Sequence, residues 1–253
     1  LRVAAAIGVN DEAIERAQAL QNSGLDALVV DTAHGHSSGV LKLIEKLKLS
    51  IGTMALIAGN VATKEGVRSL IDAGVDCPKI GIGAGASCTT RVVAGVGVPQ
   101  LSAIIDCHKE ALLNEGYVVG DGGITCPGDM AKSFGGGADF VMVGGQFAGH
   151  DENPGEVIER DGKKYKLFYG MSSEYAQDKF NGGMKKYRSS EGKVRQIPYK
   201  GPVNDTIMDV LGGIRSTGTY IGACRLKDYA KCCTFMQVNQ QVNQVFDGSQ
   251  FMR

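Results

Sequence analysis

The sequence predicts an α/β protein folded as a TIM-type (β/α)8 barrel, and three observations lead to that fold class. Short, continuous apolar segments alternate with amphipathic ones, which is typical of a parallel sheet covered by helices on both faces. A weak repeat places Gly24, Gly74 and Gly137 between a predicted helix and the next strand, where glycine is the expected helix C-cap. Glycine and polar residues also cluster where the predicted strands end, the face that carries the active site in barrels of this class.

The elements follow in chain order from their residue patterns. Residues 2–8 are apolar and end in glycine, which predicts the first strand. Residues 11–22 place their apolar side chains on one helical face, and we expect Asn10 or Asp11 as the N-cap. Residues 25–31 are apolar and β-branched, which predicts a buried strand. The same reasoning predicts strands at 55–58, 79–83, 117–121 and 140–144 and helices at 40–47, 64–73, 101–115 and 127–134.

These elements amount to six βα units, whereas a closed barrel of this class needs eight. We therefore expect two N-terminal βα units to lie outside this sequence. Pro78 removes a backbone donor from the fourth strand, and we expect it to precede the first paired residue. A doubly wound sheet is the alternative architecture, but it would concentrate a site at a single switch point.

The length of 253 residues allows one large domain or two small ones, and we expect a single catalytic barrel domain over residues 1–253, located in the cytoplasm. The formal net charge is zero, so no basic surface points to nucleic acid or an anionic membrane. No apolar segment is long enough to span a bilayer. The seven cysteines form no C-x-x-C pair and predict reduced thiols in a cytosolic protein, and we find no metal-ligand spacing among cysteines and histidines.

A glycine-rich loop at residues 81–91 follows an apolar strand and reads Gly-Ile-Gly-Ala-Gly-Ala-Ser-Cys-Thr-Thr-Arg. Glycines allow the backbone to approach a ligand closely. Cys88 is the candidate nucleophile, because a thiolate attacks electrophilic carbon. A small buried thiol is the structural alternative for any cysteine, but the loop around Cys88 favours catalysis.

This loop and several longer motifs resemble the IMP dehydrogenase/GMP reductase family from Leu1 to about Phe246. The first half is similar to the dehydrogenase branch: Asp-Thr-Ala-His-Gly-His-Ser at 31–37, Gly-Asn-Val-Ala-Thr at 59–63 and Gly-Val-Gly-Val-Pro-Gln at 95–100. The second half is similar to the reductase branch: Asp-Gly-Gly at 121–123, Cys-Pro-Gly-Asp at 126–129, Leu-Phe-Tyr-Gly-Met-Ser-Ser-Glu at 167–174, Tyr-Arg-Ser-Ser-Glu-Gly-Lys at 187–193 and Leu-Gly-Gly-Ile-Arg-Ser-Thr at 211–217.

The resemblance implies a cysteine adduct at C2 of a purine nucleotide, and the fate of that adduct separates the two branches. In the dehydrogenases an Arg-Tyr pair on a long flap activates the water that hydrolyses it. The equivalent mobile flap-like segment here, residues 170–200, is short, and its Tyr187-Arg188 pair has the reverse order. We therefore expect the reductase reaction of purine salvage, in which ammonia leaves C2 of GMP and NADPH delivers hydride there to give IMP. Residues 201–253 are expected to pack on the barrel.

The resemblance assigns the chemistry to Cys88, Thr90 and Glu191. Cys88 would be the nucleophile, and the Thr90–Glu191 pair would protonate the departing ammonia. The structural alternatives are a helix N-cap for Thr90 and a solvated loop carboxylate for Glu191.

The resemblance also assigns the nucleotide contacts. Asp121 would bind both ribose hydroxyls, and the two Gly-Gly pairs would offer backbone N–H groups to the 5′-phosphate; without the family context each pair would indicate a turn. The loop at 170–172 would contact the purine edge, with residues 188–192 closing over it. The substrate-binding set is Ser87, Asp121, Gly122, Gly123, Gly144, Gly145, Gly170, Met171, Ser172, Arg188, Ser190 and Gly192.

A nicotinamide cofactor and a monovalent cation complete the implied site, in a homotetramer. NADPH would contact Asp31, Thr32, Ala33, Ile82, Gly83, Met171, Tyr187 and Arg188 of one subunit and Ser216, Thr217, Gly218 and Thr219 of a neighbour. K⁺ would be held by backbone carbonyl groups of Gly83, Gly85, Cys88 and Arg91, although Ala84 stands where the family usually has proline. Dehydrogenase activity and a non-catalytic nucleotide-binding fragment stay open as alternatives.

Overall fold

Six parallel strands lie side by side in chain order and form one curved sheet in the computed structural model, which describes residues 1–184 and 189–238. The strands are β1 (Ala4–Ile7), β2 (Ala27–Asp31), β3 (Ala55–Val61), β4 (Cys77–Ile80), β5 (Val119–Asp121) and β6 (Phe140–Met142). A doubly wound sheet would reverse its strand order at a switch point, and this sheet does not. The predicted (β/α)8 architecture is confirmed, with six of its βα units in the described residues.

Helices connect successive strands and cover the outer face of the sheet. They are α1 (Ala13–Asn22), α2 (Ser38–Ile51), α3 (Lys64–Asp72), the short α4 (Thr90–Val93), α5 (Gln100–Leu113) and α6 (Pro127–Gly135). Strand residues such as Leu28 and Leu56 and helix residues such as Ile44 and Leu70 are fully buried in one cluster. The curved six-stranded sheet and its covering helices are called the half-barrel below. Burial of apolar surface between sheet and helices stabilises the half-barrel, on which the site is built.

The predicted glycine C-caps are confirmed at all three repeats. Gly24, Gly74 and Gly137 adopt φ of +86°, +106° and +108°, a region that L side chains rarely enter. Each glycine N–H donates to a carbonyl three residues earlier, and the following N–H reaches back five residues, as in a Schellman motif. The turn satisfies the last helix carbonyls and directs the chain into the next strand.

The aspartate that follows each of these glycines has a structural role that the repeat alone did not reveal. Its carboxylate accepts the backbone N–H at the start of the preceding strand. Asp26 accepts from Val3, Asp76 from Leu56 and Asp139 from Val118, each at 2.8 Å. Three equivalent carboxylates therefore connect neighbouring strands at their amino-terminal ends, here called the amino-terminal edge of the sheet.

Three local expectations are wrong or need new bounds. Helix α1 is capped by Glu12 without a side-chain hydrogen bond, so neither Asn10 nor Asp11 is its N-cap. Pro78 lies inside β4, opposite Ala58, rather than before its first paired residue. It does precede the first pair between β4 and β5, which limits the cost of its missing N–H. Strand β4 ends at Ile80 rather than at residue 83, because the glycines that follow it turn the backbone away from the sheet.

A second, antiparallel sheet follows the half-barrel and was absent from the prediction. It contains β7 (Ile158–Arg160), β8 (Lys163–Tyr169) and β9 (Val194–Pro198), with helix α7 (Glu174–Asn181) between the last two strands. The predicted flap-like segment, residues 170–200, therefore includes α7 and β9, and its mobility stays a prediction.

The described part of the C-terminal segment lies against the half-barrel. Helix α8 (Asn204–Ile221) packs on α6, and Val210 of α8 and Tyr229 of the short α9 (Tyr229–Cys232) join a small apolar cluster with Met130 and Phe134. Residues 239–253 of the predicted segment lie outside the described residues. Within the part of the chain that the structure describes, no helix has the length and apolarity to cross a membrane.

Candidate active site

Cys88, Thr90 and Glu191, which lie far apart in the sequence, are joined in one hydrogen-bonded chain at the end of β4. The Cys88 thiol donates to the Thr90 hydroxyl at 3.2 Å, and that hydroxyl donates to Glu191 Oε2 at 2.6 Å. The N-cap position of α4 is occupied by Thr89, so the N-cap alternative for Thr90 is wrong. Glu191 is half-buried rather than a freely solvated carboxylate. The arrangement connects an exposed thiol to a carboxylate through one hydroxyl.

Backbone pairing between the cysteine loop and the segment around Glu191 holds this chain of groups together. Cys88 and Gly192 form an antiparallel bridge. The Thr89 N–H donates to the Glu191 carbonyl, and the Lys193 N–H donates to the Ser87 carbonyl, both at 2.9 Å. Glu191 is therefore positioned by its backbone before its side chain meets Thr90.

The predicted purine loop pairs with the other edge of the same segment. The Gly170 N–H donates to the Lys193 carbonyl at 3.3 Å, and the Glu191 N–H donates to the Ser172 carbonyl at 3.2 Å. A Cβ on Gly192 would stand 2.8 Å from the Ser173 nitrogen, so only glycine fits there. The cysteine loop, the segment around Glu191 and the loop at residues 170–172 are thus hydrogen-bonded side by side, and they form one wall of the site.

Two serines on this wall fasten helix α7. Ser173 is buried and caps α7 by accepting the Ala176 N–H, while its hydroxyl donates to the Gly170 carbonyl at 2.6 Å. Ser190, a predicted substrate contact, accepts the Glu174 N–H and donates to the Gly192 carbonyl. Met171 has an exposed side chain, whereas Tyr187 and Arg188 lie outside the described residues.

Asp121 stands at the end of β5 with one carboxylate oxygen already occupied. Its Oδ2 accepts hydrogen bonds from the Lys79 ammonium and, at 3.0 Å, from the Asn60 amide. Lys79 also contacts Asp31 Oδ1 at 3.3 Å, which lies two strands away at the end of β2. The predicted ribose ligand and a predicted cofactor ligand are therefore connected through a single lysine that is 2% exposed.

Sequence reasoning missed Lys79 and Asn60 as functional candidates. The available signal was an ionisable residue inside a continuous apolar strand, since a buried lysine requires charged or polar partners. Asn60 follows Gly59, whose lack of a side chain makes room for Lys79: a Cβ there would stand 2.8 Å from Lys79 Cβ. The glycine and the lysine therefore depend on each other sterically.

The glycine loops predicted to bind phosphate surround the cysteine loop. Gly122 and Gly123 adopt φ of +97° and +73°, and a Cβ on Gly145 would stand 3.2 Å from Ala86 Cβ. The Gly123 N–H donates to the Ala84 carbonyl at 2.8 Å and is therefore engaged within the protein. Ser87 is buried, and its hydroxyl has no hydrogen-bond partner among the described residues.

The predicted cofactor residues divide into two groups. Asp31 and Ala33 are exposed near the mouth, whereas the Thr32 hydroxyl donates to the Gly59 carbonyl at 2.8 Å and so fastens β2 to β3. Residues 216–219 lie on α8, where the Thr217 and Thr219 hydroxyls donate to carbonyls one turn earlier in the same helix.

The predicted cation loop is tightly folded. Gly83 adopts φ +77° and lies against the Arg91 side chain, whose guanidinium donates to the Val98 carbonyl at 2.6 Å. The Gly85 carbonyl accepts the Cys88 N–H at 3.0 Å, which uses one of its two lone pairs. Among the described residues, no group of three or more acidic, histidine or cysteine side chains is placed to hold a metal ion.

Burial distinguishes Cys88 from two other thiols of the half-barrel. Burial raises the pKa of the Cys77 and Cys107 thiols to about 12, and nearby carboxylates add to the shift. Such thiols stay protonated and unreactive near neutral pH. Cys88 is exposed instead and bonded to Thr90, which fits a nucleophile.

The chain is similar to several known proteins. A GMP reductase from Vibrio atlanticus (strain LGP32) is 52% identical over 87% of this chain, and GMP reductase 2 of Mus musculus is 52% identical over 88%. A solved structure of GMP reductase from Trypanosoma brucei, in complex with guanosine 5′-monophosphate, superposes on the whole chain with a TM-score of 0.92 at 38% identity.

The matched proteins are longer than this chain. It spans 63–64% of the length of the two curated relatives and 53% of the trypanosomal one. The family model of the IMP dehydrogenase / GMP reductase domain matches residues 1–244. The chain therefore belongs to the IMP dehydrogenase/GMP reductase family.

Proposed function

We propose that this protein is a GMP reductase, which converts GMP to IMP and ammonia at the expense of NADPH. The observation that carries the proposal is the hydrogen-bonded chain from Cys88 through Thr90 to Glu191. It joins a nucleophile to a proton store at a spacing that allows direct transfer. The relatives named above, which are called GMP reductases, support the same reaction.

The first half of the reaction replaces ammonia by sulfur at C2. The Cys88 proton passes through the Thr90 hydroxyl to Glu191, and the thiolate forms a bond to C2 of GMP. Glu191 then returns this proton, through Thr90, to the 2-amino group, so the C2–N bond breaks and ammonia leaves. The proton taken from the thiol thus departs with the ammonia, and Glu191 is ionised again.

The second half removes the sulfur. A bound reduced nicotinamide would supply the hydride at C2. Cys88 would then leave C2 as a thiolate, with cleavage of the C–S bond, and would take one proton from solvent. The sum is GMP, NADPH and one proton giving IMP, NADP⁺ and ammonia. Asp31 and Ala33 fit the nicotinamide side of this site, because both are exposed at a strand end near the mouth and a carboxylate accepts amide N–H groups.

The nucleotide contacts of the proposal follow the remaining residues of the site. Asp121 Oδ1 would accept ribose hydroxyls, and the buried Ser87 hydroxyl, which has no protein partner among the described residues, would bond to the 5′-phosphate. Gly122, Gly144 and Gly145 would line the phosphate. Gly123 would lie beside them, with its N–H directed to the Ala84 carbonyl.

The cation, the assembly and the location belong to the same proposal. The bent loop at residues 83–91 would hold K⁺ by backbone carbonyl groups, which suit a monovalent cation. A homotetramer would bring residues 216–219 of α8 to the cofactor of a neighbouring subunit, and Ser216 and Thr219 are exposed on this helix. The enzyme would act in the cytoplasm in purine salvage.

The decisive experiment measures absorbance of the reduced nicotinamide with each substrate pair. We expect GMP-dependent loss of NADPH, with one IMP and one ammonia formed per NADPH consumed. NAD⁺ reduction with IMP, without GMP-dependent NADPH loss, would assign the protein to the dehydrogenase branch. GMP binding without turnover in either direction would leave only a nucleotide-binding function.

A further inference from the structure

Lys79 is the most deeply buried charged side chain at the mouth of the half-barrel, and the mechanism above does not use it. It lies on β4, and only 2% of its side chain is exposed. Its ammonium contacts Asp121 Oδ2 on β5 and Asp31 Oδ1 on β2, the latter at 3.3 Å. Removing an ammonium group from water is costly, and replacing a buried ion pair by apolar side chains of similar volume often leaves stability unchanged or raises it. We therefore favour a role of Lys79 in the site over a purely structural role.

The contacts of Lys79 determine which oxygen of Asp121 faces a ligand. Asn60 Nδ2 donates to the same Oδ2 at 3.0 Å and to the Gly81 carbonyl at 2.7 Å, so it joins Asp121 to the cysteine loop. Two donors thus converge on Oδ2, whereas Oδ1 has no hydrogen-bond donor among the described residues and can accept from a ligand. Without Lys79 the carboxylate would lose its charged donor, and Oδ2 would be held by the neutral Asn60 amide alone.

We infer that Lys79 is a positioning residue that holds Asp121 with Oδ1 directed at the ribose of the nucleotide, so that ribose recognition depends on a residue the ribose never touches. The inference rests on the proposed function, because it takes the ligand to be a ribonucleotide. Asn60 assists through the same oxygen, with a smaller effect because its amide is neutral.

The test measures how well the protein distinguishes GMP from 2′-deoxy-GMP and 3′-deoxy-GMP by equilibrium binding. We expect the wild-type protein to prefer GMP to at least one deoxy analogue by roughly tenfold or more, since a hydrogen bond to a charged group is lost. In Lys79→Met this preference should fall to within about threefold, because GMP affinity drops while that of the analogue changes little. A lysine that only supports the fold would weaken all three ligands equally.

Three further variants keep the test decisive. Lys48→Met removes a lysine that pairs with Asp76 at 2.8 Å at the opposite end of β4, and it should leave the preference for GMP unchanged. If Lys79→Met does not fold, Lys79→Gln and Asn60→Ala replace it, and each should reduce the preference in part.

The outcomes separate this inference from the proposed function. A wild-type protein that binds neither GMP nor IMP would refute the proposed function. A wild-type protein that binds GMP but does not distinguish the deoxy analogues would refute the inference alone. The same holds if the preference persists unchanged in the Lys79 and Asn60 variants.

Discussion

The two ends of the parallel sheet both use aspartate, and they use it in opposite ways. At the amino-terminal edge Asp26, Asp76 and Asp139 accept backbone N–H groups of the neighbouring strand, with the same geometry three times. At the carboxyl-terminal edge Asp31 and Asp121 share one buried lysine. The carboxylates at the amino-terminal ends accept backbone N–H groups and stabilise the sheet, whereas those at the carboxyl-terminal ends belong to the proposed binding site. In barrels of this class the same division separates stability from catalysis.

The largest effect that would test this division is loss of the nucleophile. In Cys88→Ser, turnover should fall by about 10⁴-fold or more, because a serine hydroxyl is a far weaker nucleophile than a thiolate and single removal of a nucleophile is this costly elsewhere. GMP affinity and unfolding free energy should change little, since Cys88 is exposed. Steady-state kinetics and equilibrium binding measure both, with Cys224→Ser, another exposed thiol, as the control. Retained turnover in Cys88→Ser would remove covalent catalysis from the mechanism.

The second effect concerns Glu191, the proposed proton acceptor and donor. Glu191→Gln keeps the size and the backbone pairing of Glu191 but cannot carry the proton for departing ammonia. Turnover of GMP should fall by roughly 10²–10⁴-fold, with GMP binding nearly unchanged. Glu174→Gln, an exposed carboxylate in the first turn of α7, is the matched control and should retain activity. An equal loss in both variants would mean that the Thr90–Glu191 hydrogen bond has no catalytic role.

The same contrast explains how much of the structure at each end of the strands could be predicted from the sequence. The helix-to-strand turns were predictable, because glycine C-caps depend on a few neighbouring residues and recur at Gly24, Gly74 and Gly137. The aspartates two residues later were visible as a repeat, but their donors lie on another strand. A bond between Asp76 and Leu56 has no signature in local sequence.

At the carboxyl-terminal edge, composition and periodicity alone could identify only Cys88 and the polar strand ends. Thr90 and Glu191 are separated by 101 residues, so their pairing was expected only through family resemblance. Lys79 and Asn60 were missed because their roles depend on which strands become neighbours. The antiparallel sheet of β7–β9 was missed as well, although its strands have ordinary lengths, because charged residues interrupt their apolar pattern.

The third prediction concerns the amino-terminal ends of the strands. Asp76→Ala removes the acceptor of the Leu56 N–H and the partner of Lys48, both at 2.8 Å. Leaving the N–H without a partner should lower the unfolding free energy by about 1–3 kcal/mol, while kcat and GMP affinity stay close to wild type. Urea unfolding and steady-state kinetics check this together.

Asp72→Ala is the control for that experiment. Asp72 makes only an exposed pair with Arg68 within α3, and its removal should cost less than about 1 kcal/mol. If Asp76→Ala changes kcat or GMP affinity more strongly than it changes the unfolding free energy, the proposed separation between the two ends of the strands is wrong.

The smallest effect compares two cysteines at opposite ends of the same strand, Cys77 at the start of β4 and Cys88 beyond its end. Burial, aided by Asp139 and Asp76, raises the pKa of the Cys77 thiol from its ordinary value of 9.0 to about 12. A thiol whose pKa is higher in the folded state contributes stability that is complete below pH 9 and is lost as the pH rises from 9 towards 12, because only the unfolded chain then releases the proton.

Cys77→Ala should therefore flatten the decline of unfolding free energy with pH above 9 by up to about 1.4 kcal/mol per pH unit, relative to wild type. Urea unfolding between about pH 7 and 10.5 measures the slope, and the difference from wild type cancels the titration of other groups. Cys88→Ala is the comparison variant at the other end of the strand, because it removes an exposed thiol instead of a buried one. Parallel wild-type and Cys77→Ala curves would contradict the raised pKa of the Cys77 thiol, because they would show that this thiol titrates equally in both states.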